Sequence, residues 1–179
     1  MHELVPMRVR YAVDVADQVD RVLEQWASVR PDLDASPMGI IGRLSRASRL
    51  IDVRLRETFR AHGLDGASFD VLATLRRSGP DRRLTPAALM RSSMITSGAV
   101  TQRLDRLEEK GLVARTPHES DGRGVYVTLT DAGCALVDEA LPDHLATEED
   151  ILAGLDAQER ARFAATLRTL LESLGDALE

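Results

Sequence analysis

Aromatic residues are scarce in this sequence. Only 3% of its 179 residues are Phe, Trp or Tyr, although 44% are hydrophobic. A buried core must therefore be built from Leu, Val, Ile and Ala, and such a core favours helices packed on helices over a β-sandwich. The sequence also has no run of 18 apolar residues, so it contains no predicted transmembrane helix.

Cysteine is almost absent as well. Cys134 is the only thiol, which excludes an internal disulfide and a metal site made of several thiolates, and is typical of a reducing compartment. The first ten residues lack the apolar stretch of a signal peptide, so we expect a cytoplasmic protein. The four histidines are scattered without the spacing of metal ligands, so we expect no bound metal.

The motifs of common enzyme classes are missing too. The sequence has no glycine-rich phosphate loop and no nucleophile motif. The segment Gly122-Arg123-Gly124 does not fit a phosphate loop. We therefore predict that the protein is not an enzyme and has no catalytic cofactor.

The net charge of −6 is distributed unevenly along the chain. Residues 81–130 carry 8 basic and 6 acidic side chains, whereas residues 131–179 carry 3 basic and 12 acidic ones. Salt screens a charge within roughly 8–10 Å, so the local balance decides whether a surface attracts phosphate. The acidic C-terminal third therefore does not exclude nucleic acid as a partner of the middle of the chain.

Apolar residues recur every three or four positions through most of the chain, which is the pattern of amphipathic helices. Capping residues, prolines and glycines mark where these helices begin and end. Ser36, Ser68, Thr85 and Asp156 are the expected N-terminal caps. The predicted helices span about 13–29, 36–62, 68–78, 85–92, 96–110, 132–141 and 156–174.

Alternation of apolar and polar residues predicts a small β-hairpin around the turn at residues 117–124. Its two strands contain Val113 on one side and Val125, Val127 and Leu129 on the other. We therefore predict a mainly α fold with a β-hairpin wing. The predicted regions are N-terminal extension and dimerisation helices (1–62), a central region that contains the hairpin (63–130) and C-terminal dimerisation helices (131–179). Because the flanking helices carry more apolar surface than one small domain can cover, we expect a homodimer.

Residues 84–104 place two short helices on either side of a tight turn, which is the organisation of a helix-turn-helix. The inward face of the second helix is apolar, and its opposite face is polar with small residues at the start. Small residues let a backbone approach the major groove, where Ser, Thr and Gln bond base edges and phosphates. Residues 63–130 are therefore predicted to form a DNA-binding domain. The DNA contacts predicted on this helix are Thr96, Ser97, Gly98, Thr101, Gln102 and Arg103.

The tip of the hairpin places Arg123 two residues after Asp121, between glycines. The carboxylate can orient the guanidinium, and arginine is favoured in a narrow minor groove. We therefore predict that Asp121 and Arg123 contact double-stranded DNA from a wing. The alternative is a solvated arginine in a turn.

The block from Leu84 to Thr130 resembles the MarR family of winged helix-turn-helix repressors. The resemblance rests on Leu107–Arg115 (LEEKGLVAR), Asp121-x-Arg123 and Val127–Thr130 (VTLT). It implies a homodimer with its recognition helices in successive major grooves and its wings in the flanking minor grooves. It further implies a repressor that a small ligand releases from a pseudopalindromic operator.

Four further residues are similar in type and spacing to a set found in the urate-responsive subfamily: Trp26, Asp70, Arg103 and Arg115. The resemblance implies a small anionic effector, urate or a related planar or carboxylic anion, bound between the dimerisation and DNA-binding regions. Aromatic faces and guanidinium groups bind a flat anion well. Because Arg103 is on the recognition helix, drawing it toward an anion would move the DNA-contacting surface.

Each of these residues also has a structural interpretation. Trp26 is a core residue in one alternative, and Arg115 pairs with Asp121 or Glu119 in another. Asp70 would lie in the first turn of its helix, where the helix dipole favours a carboxylate. For the whole protein, the alternatives are a ligand-independent architectural DNA binder of the same fold and a regulator that answers to another small acid.

Replacement of Arg123 by alanine tests the wing. If this side chain neutralises one phosphate, Arg123→Ala should weaken DNA binding broadly and reduce the log–log salt dependence of the affinity by about one unit. Fluorescence anisotropy at several salt concentrations measures both. An unchanged affinity and slope would remove the wing from the mechanism.

Overall fold

A computed structural model describes residues 16–93, 100–117 and 124–176 of the chain. The chain divides into two compact units, Met1–Leu50 and Ile51–Glu179. The described elements confirm a mainly α fold with a small β-sheet. In chain order they are α1 (Gln18–Val29), α2 (Ser36–Ala61), α3 (Gly66–Arg76), β1 (Arg83–Leu84), α4 (Pro86–Ser92), α5 (Val100–Glu109), β2 (Val113–Pro117), β3 (Val125–Leu129), α6 (Asp131–Ile151) and α7 (Ala157–Ser173). None of the described helices has the length and apolar character needed to cross a membrane.

The first unit joins α1 to the beginning of α2 by an ionic contact. Asp17 caps α1 by accepting hydrogen bonds from the backbone N–H groups of Val19 and Asp20, at 2.7 and 3.0 Å. Arg43 of α2 donates to the carboxylates of Asp17 and Asp20, at 2.8 and 2.6 Å. The carboxylates of Asp17 and Asp20 therefore stabilise the start of α1 and also bind α2 through Arg43.

The second unit has an aliphatic core, as the composition predicts. α3 lies at its centre, with Val71, Leu72 and Leu75 completely buried. A small aromatic group closes one side, where the rings of Phe59 and Phe69 stack with centroids 4.6 Å apart. Other elements contribute further buried side chains to this core: Leu89, Leu104, Leu107, Val113, Val127, Leu129, Val137 and Ala140.

The wing is part of a three-stranded antiparallel sheet of order β1-β3-β2 within the described residues. The expected two-stranded hairpin was therefore incomplete. β1 pairs with β3 through Arg83 opposite Thr128 and Leu84 opposite Val127. A strand of two residues has no periodicity to detect, so only its position beside β3 identifies it.

Two predicted helix caps were misplaced. α3 is capped by Asp65, whose carboxylate accepts from the N–H of Ser68 at 2.8 Å, and not by Ser68 itself. Asp70 consequently lies in the second turn of α3, beyond the first-turn position expected for it. Ser36 is the first residue of α2, and Asp34 accepts its N–H at 2.9 Å. Asp and Ser both cap well, so the pattern alone did not separate them.

α6 is longer than the predicted helix, which ended at Leu141. It continues through Pro142 to Ile151, although proline removes a backbone hydrogen bond. The residues on both sides of Pro142 pack on the same core. Val137 and Ala140 are buried before it, and the His144 ring lies 4.9 Å from that of Phe69 after it. Packing therefore keeps the helix continuous where propensity would end it.

The start of α6 is fixed to the turn between α5 and β2. Thr130 caps α6 by accepting the N–H of Gly133 at 3.0 Å, and its hydroxyl donates to the carbonyl of Gly111 at 2.8 Å. A Cβ on Gly133 would lie 2.1 Å from the carbonyl oxygen of Leu112. Only glycine lets α6 approach this turn so closely.

Gly133→Ala should therefore reduce the free energy of unfolding by about 1–3 kcal/mol, the usual cost of overpacking a core. Urea denaturation at a fixed protein concentration measures it. Gly154→Ala is the matched control, because a Cβ there meets no heavy atom within 4 Å. Equal stability of the two variants would contradict the close approach of α6 to Leu112.

Candidate functional site

α5, the second helix of the helix-turn-helix, is held to the core by Leu104 and Leu107, each 2% exposed. Thr101 and Gln102 are exposed on its surface, as a DNA contact requires. The other predicted DNA contacts Thr96, Ser97, Gly98, Asp121 and Arg123 lie outside the described residues.

Arg103 lies on a different face of α5 and is largely buried, with its side chain 17% exposed. Its guanidinium forms an ion pair with the carboxylate of Asp65 and donates to the hydroxyl of Ser68 at 3.0 Å. Asp65 is also the cap of α3. The Asp65 carboxylate therefore caps α3 and also forms an ion pair with Arg103 of α5, so it connects the two helices.

The Asp65 carboxyl is strongly acidic in this position. Partial burial raises its pKa, but hydrogen bonds from Arg103 and Ser68, together with the charge of Arg103, outweigh this effect and lower the pKa to about 2. The carboxylate is therefore ionised throughout the physiological pH range. It serves as the counter-ion of Arg103.

A cavity of about 280 Å³ lies beside this ion pair. Arg103, Arg106 and Lys110 supply three cationic side chains to its wall, and Asp65 supplies a carboxylate. Arg103 and Arg106 lie on one face of α5 because they are three positions apart, and Lys110 follows directly after the end of the helix. The cavity thus has an excess of positive charge, which is suited to a small anion.

Arg115 is bound to α5 by two carboxylates. Its guanidinium donates to Asp105 at 2.6 Å and forms an ion pair with Glu108, and its backbone N–H donates to Glu108 at 3.0 Å. Hydrogen bonds to Asp105 and Glu108 raise the pKa of Arg115, although partial burial opposes them. These partners differ from the two considered in the sequence, Glu119 and Asp121, which lie outside the described residues. β2 turns back beside α5 after Gly111, whose φ is +69°, and this brings Arg115 to Glu108.

The four residues proposed to bind an effector have separate surroundings. Arg103 and Arg115 contact different carboxylates on different faces of α5. Asp70 is half-buried on α3. Trp26 lies on α1 in the first unit and is 40% exposed. Within the described residues, no group of three or more His, Cys, Asp or Glu side chains is placed to hold a metal ion.

Sequence reasoning missed Asp65 and Glu108. Asp65 precedes Ser68 by three positions, which is the spacing of a cap, and that signal was available. Glu108 stands seven residues before Arg115, on the other side of a glycine turn. Only the geometry of that turn brings the two together.

Comparison with known proteins identifies the family. A family model described as MarR family matches residues 62–124. The HTH-type transcriptional regulator PecS of Dickeya dadantii is 41% identical over 150 residues, which cover 84% of this chain and 90% of PecS. The chain belongs to the MarR family.

Solved structures agree with this assignment. A mutant of Escherichia coli MarR, crystallised in complex with operator DNA, superposes on this MarR-family protein with a TM-score of 0.67. It is 27% identical and the match covers 82% of this chain and 97% of that one. Bordetella bronchiseptica BpsR, whose DNA binding is regulated by 6-hydroxynicotinic acid, has a TM-score of 0.67 and 28% identity, and the match covers 76% of this chain and 93% of that one. The fold and the relatives are those of transcription regulators rather than enzymes.

The substitution Asp65→Asn removes the ion pair with Arg103 but keeps the cap of α3, because asparagine caps a helix as well as aspartate does. At about pH 6 the variant should be less stable than the wild type by about 0.5–1 kcal/mol, the contribution of a partly exposed ion pair. The folded-state pKa of about 2 lies below the ordinary value of 3.8. The stability difference should therefore shrink as the pH falls below 3.8 and disappear as it passes through about 2.

Urea titrations across this pH range measure the difference. Asp156→Asn is the control, because Asp156 caps α7 through the N–H groups of Gln158 and Glu159 without an arginine partner among the described residues. Equal stability of wild type and Asp65→Asn at every pH would show that the ion pair contributes nothing.

Proposed function

We propose that this MarR-family protein is a homodimeric repressor that binds a pseudopalindromic operator and is released from it by a small anion such as urate. The family assignment and the E. coli MarR complex with operator DNA support the DNA-binding part. Exposed Thr101 and Gln102 on α5 are suited to base and phosphate contacts.

The proposal of a dimer is supported by unpartnered apolar side chains. α7 has no fully buried residue, and Phe163, Leu171 and Leu174 are 45%, 47% and 73% exposed. In the first unit, Ile40 and Ile41 are similarly exposed on α2. Apolar surface of this extent on helices is normally covered by another chain. A second copy of the same chain is the occupant that the family resemblance implies.

The position of Arg103 carries the proposal of a ligand response. Its guanidinium binds an anion already, namely the Asp65 carboxylate, and it belongs to the helix that presents Thr101 and Gln102. An external anion that competes with Asp65 for Arg103 would change how α5 is held against α3. A ligand that binds the two arrangements unequally shifts the population between them.

The chemistry of the residues suggests a compact planar anion. The cavity beside Arg103 has a volume of about 280 Å³, just below the usual range for ligand sites of about 300–1,000 Å³. Arg103 supplies a guanidinium group to this cavity, and the family resemblance adds the aromatic face of Trp26 and the guanidinium of Arg115 as expected ligand contacts. The regulation of BpsR by an aromatic hydroxy acid shows that a structural relative responds to a ligand of this type. Urate and 6-hydroxynicotinate are therefore the first ligands to test.

Titration of urate into the protein–DNA complex tests the proposal. Release of the wild-type protein is expected, whereas Trp26→Ala should need about tenfold more urate because it removes the aromatic face that we propose stacks on the ligand. Its affinity for DNA without ligand should be unchanged. Anisotropy of a labelled duplex from the region upstream of the gene measures both, and light scattering should give the mass of two chains throughout.

Trp26→Phe is the matched control, since it keeps an aromatic face and should retain most of the response. 6-Hydroxynicotinate in place of urate separates a regulator of another small acid from a urate sensor. Indifference to both acids would favour a ligand-independent DNA-binding protein. Equal loss of DNA affinity and ligand response in Trp26→Ala would assign the tryptophan to the scaffold.

A further inference from the structure

We propose that Asp105 and Glu108 are positioning residues for DNA binding. Through Arg115 they fix the wing strand β2 against α5 and so set the placement of one DNA-contacting element relative to the other. The inference rests on the proposed function, in which α5 and the wing touch the same duplex.

The contacts form a clamp, by which we mean the cluster of Asp105, Glu108 and Arg115. Glu108 binds β2 twice, through the backbone N–H of Arg115 and through its guanidinium. Asp105 binds the other end of the same guanidinium at 2.6 Å. Because the guanidinium is planar with fixed donor directions, two carboxylates around it restrict its orientation more than a single ion pair would.

The clamp acts where the sheet becomes narrow. Arg115 is opposite Val127, which also pairs with Leu84 of β1. Beyond this point, Thr116–Tyr126 and Pro117–Val125 pair as two strands without β1. A two-stranded ribbon is marginally stable and twists easily. On the β3 side, Arg83 lies over the ring of Tyr126, 4.7 Å from its centroid, and the clamp provides the corresponding attachment on the β2 side.

The clamp also binds the face of α5 that is predicted to contact bases. Thr101, Asp105 and Glu108 are four and three positions apart, so they share one face of the helix. On β2, Arg115 follows Val113 by two residues and lies on the same side of the strand. Val113 is buried in the core, whereas Arg115 lies two residues further along the strand, where it contacts α5. The base-contacting face and the wing strand are therefore joined directly.

The charge of the clamp separates a positioning role from a purely electrostatic one, because the two predict opposite changes in DNA affinity. The clamp contains two carboxylates and one guanidinium, and its net negative charge lies next to a surface that must approach phosphates. Removal of the carboxylates should by itself strengthen binding to DNA, because it reduces repulsion. A positioning role instead predicts weaker binding to the specific DNA site, because the wing and α5 would lose their fixed separation.

The experiment compares Asp105→Asn/Glu108→Gln with the wild type on a duplex that the wild-type protein has selected in vitro, and on a random duplex of equal length. We expect about tenfold weaker binding to the selected duplex, the loss expected for one specific contact, and unchanged or tighter binding to the random one. Glu109→Gln is the control for the loss of one negative charge on α5, because Glu109 is exposed and forms no ion pair or side-chain hydrogen bond among the described residues. It should weaken neither complex.

A second pair of measurements separates positioning from general destabilisation. In an Arg123→Ala background the clamp substitutions should have little further effect, since the wing contact is already lost and the two changes are not additive. Arg115→Lys, which keeps the positive charge but lacks the planar guanidinium that binds both carboxylates, should lose most of the same specific binding. Circular dichroism should show that the variants remain folded.

Two outcomes overturn the proposal. If the double variant binds the selected duplex as tightly as the wild type or more tightly, Asp105 and Glu108 act only as charges. If its effect adds in full to that of Arg123→Ala, the clamp does not act through the wing. The proposed function fails in a different way: the wild-type protein would then not distinguish the selected duplex from the random one.

Discussion

The attachment of α5 through one narrow apolar stripe is the constraint on which the rest of the second unit depends. Leu104 and Leu107 bury almost completely, and hydrophobic contact is strong but not directional. It holds the helix on the core without fixing its rotation about its own axis. Polar contacts on the two sides of the stripe have to supply that precision, and each side has an arginine with acidic partners.

The two sides connect α5 to different parts of the molecule. Arg103 leads to the capped start of α3, and Arg115 leads to the wing strand β2. Partly exposed ion pairs contribute little to the free energy of unfolding. Their effect is on geometry, because a rotation of α5 moves every side chain along it that is proposed to contact bases. In the proposed function, a ligand that competes for either arginine changes DNA binding with little change in overall stability.

Much of the fold could be predicted because helix ends are set by local chemistry. Asp156 with Glu159 and Thr85 with Pro86 begin helices where the pattern placed them. β1 and the continuation of α6 beyond Pro142 could not be predicted, since each exists through contact with distant residues. For the site, the sequence singled out Arg103 and Arg115 as candidates. It did not indicate their partners, because Asp65 and Arg103 are 38 positions apart.

The sequence by itself determined the family, the order of the helices and the polar character of the α5 surface. These features follow from periodicity, capping and the block from Leu84 to Thr130, all of which are local. The tertiary structure decided which carboxylate meets which guanidinium, and it gave Asp65 and Glu108 their roles. The physical reason is that an ion pair requires two groups within about 4 Å, and only the packing of α3, α5 and the sheet sets those distances.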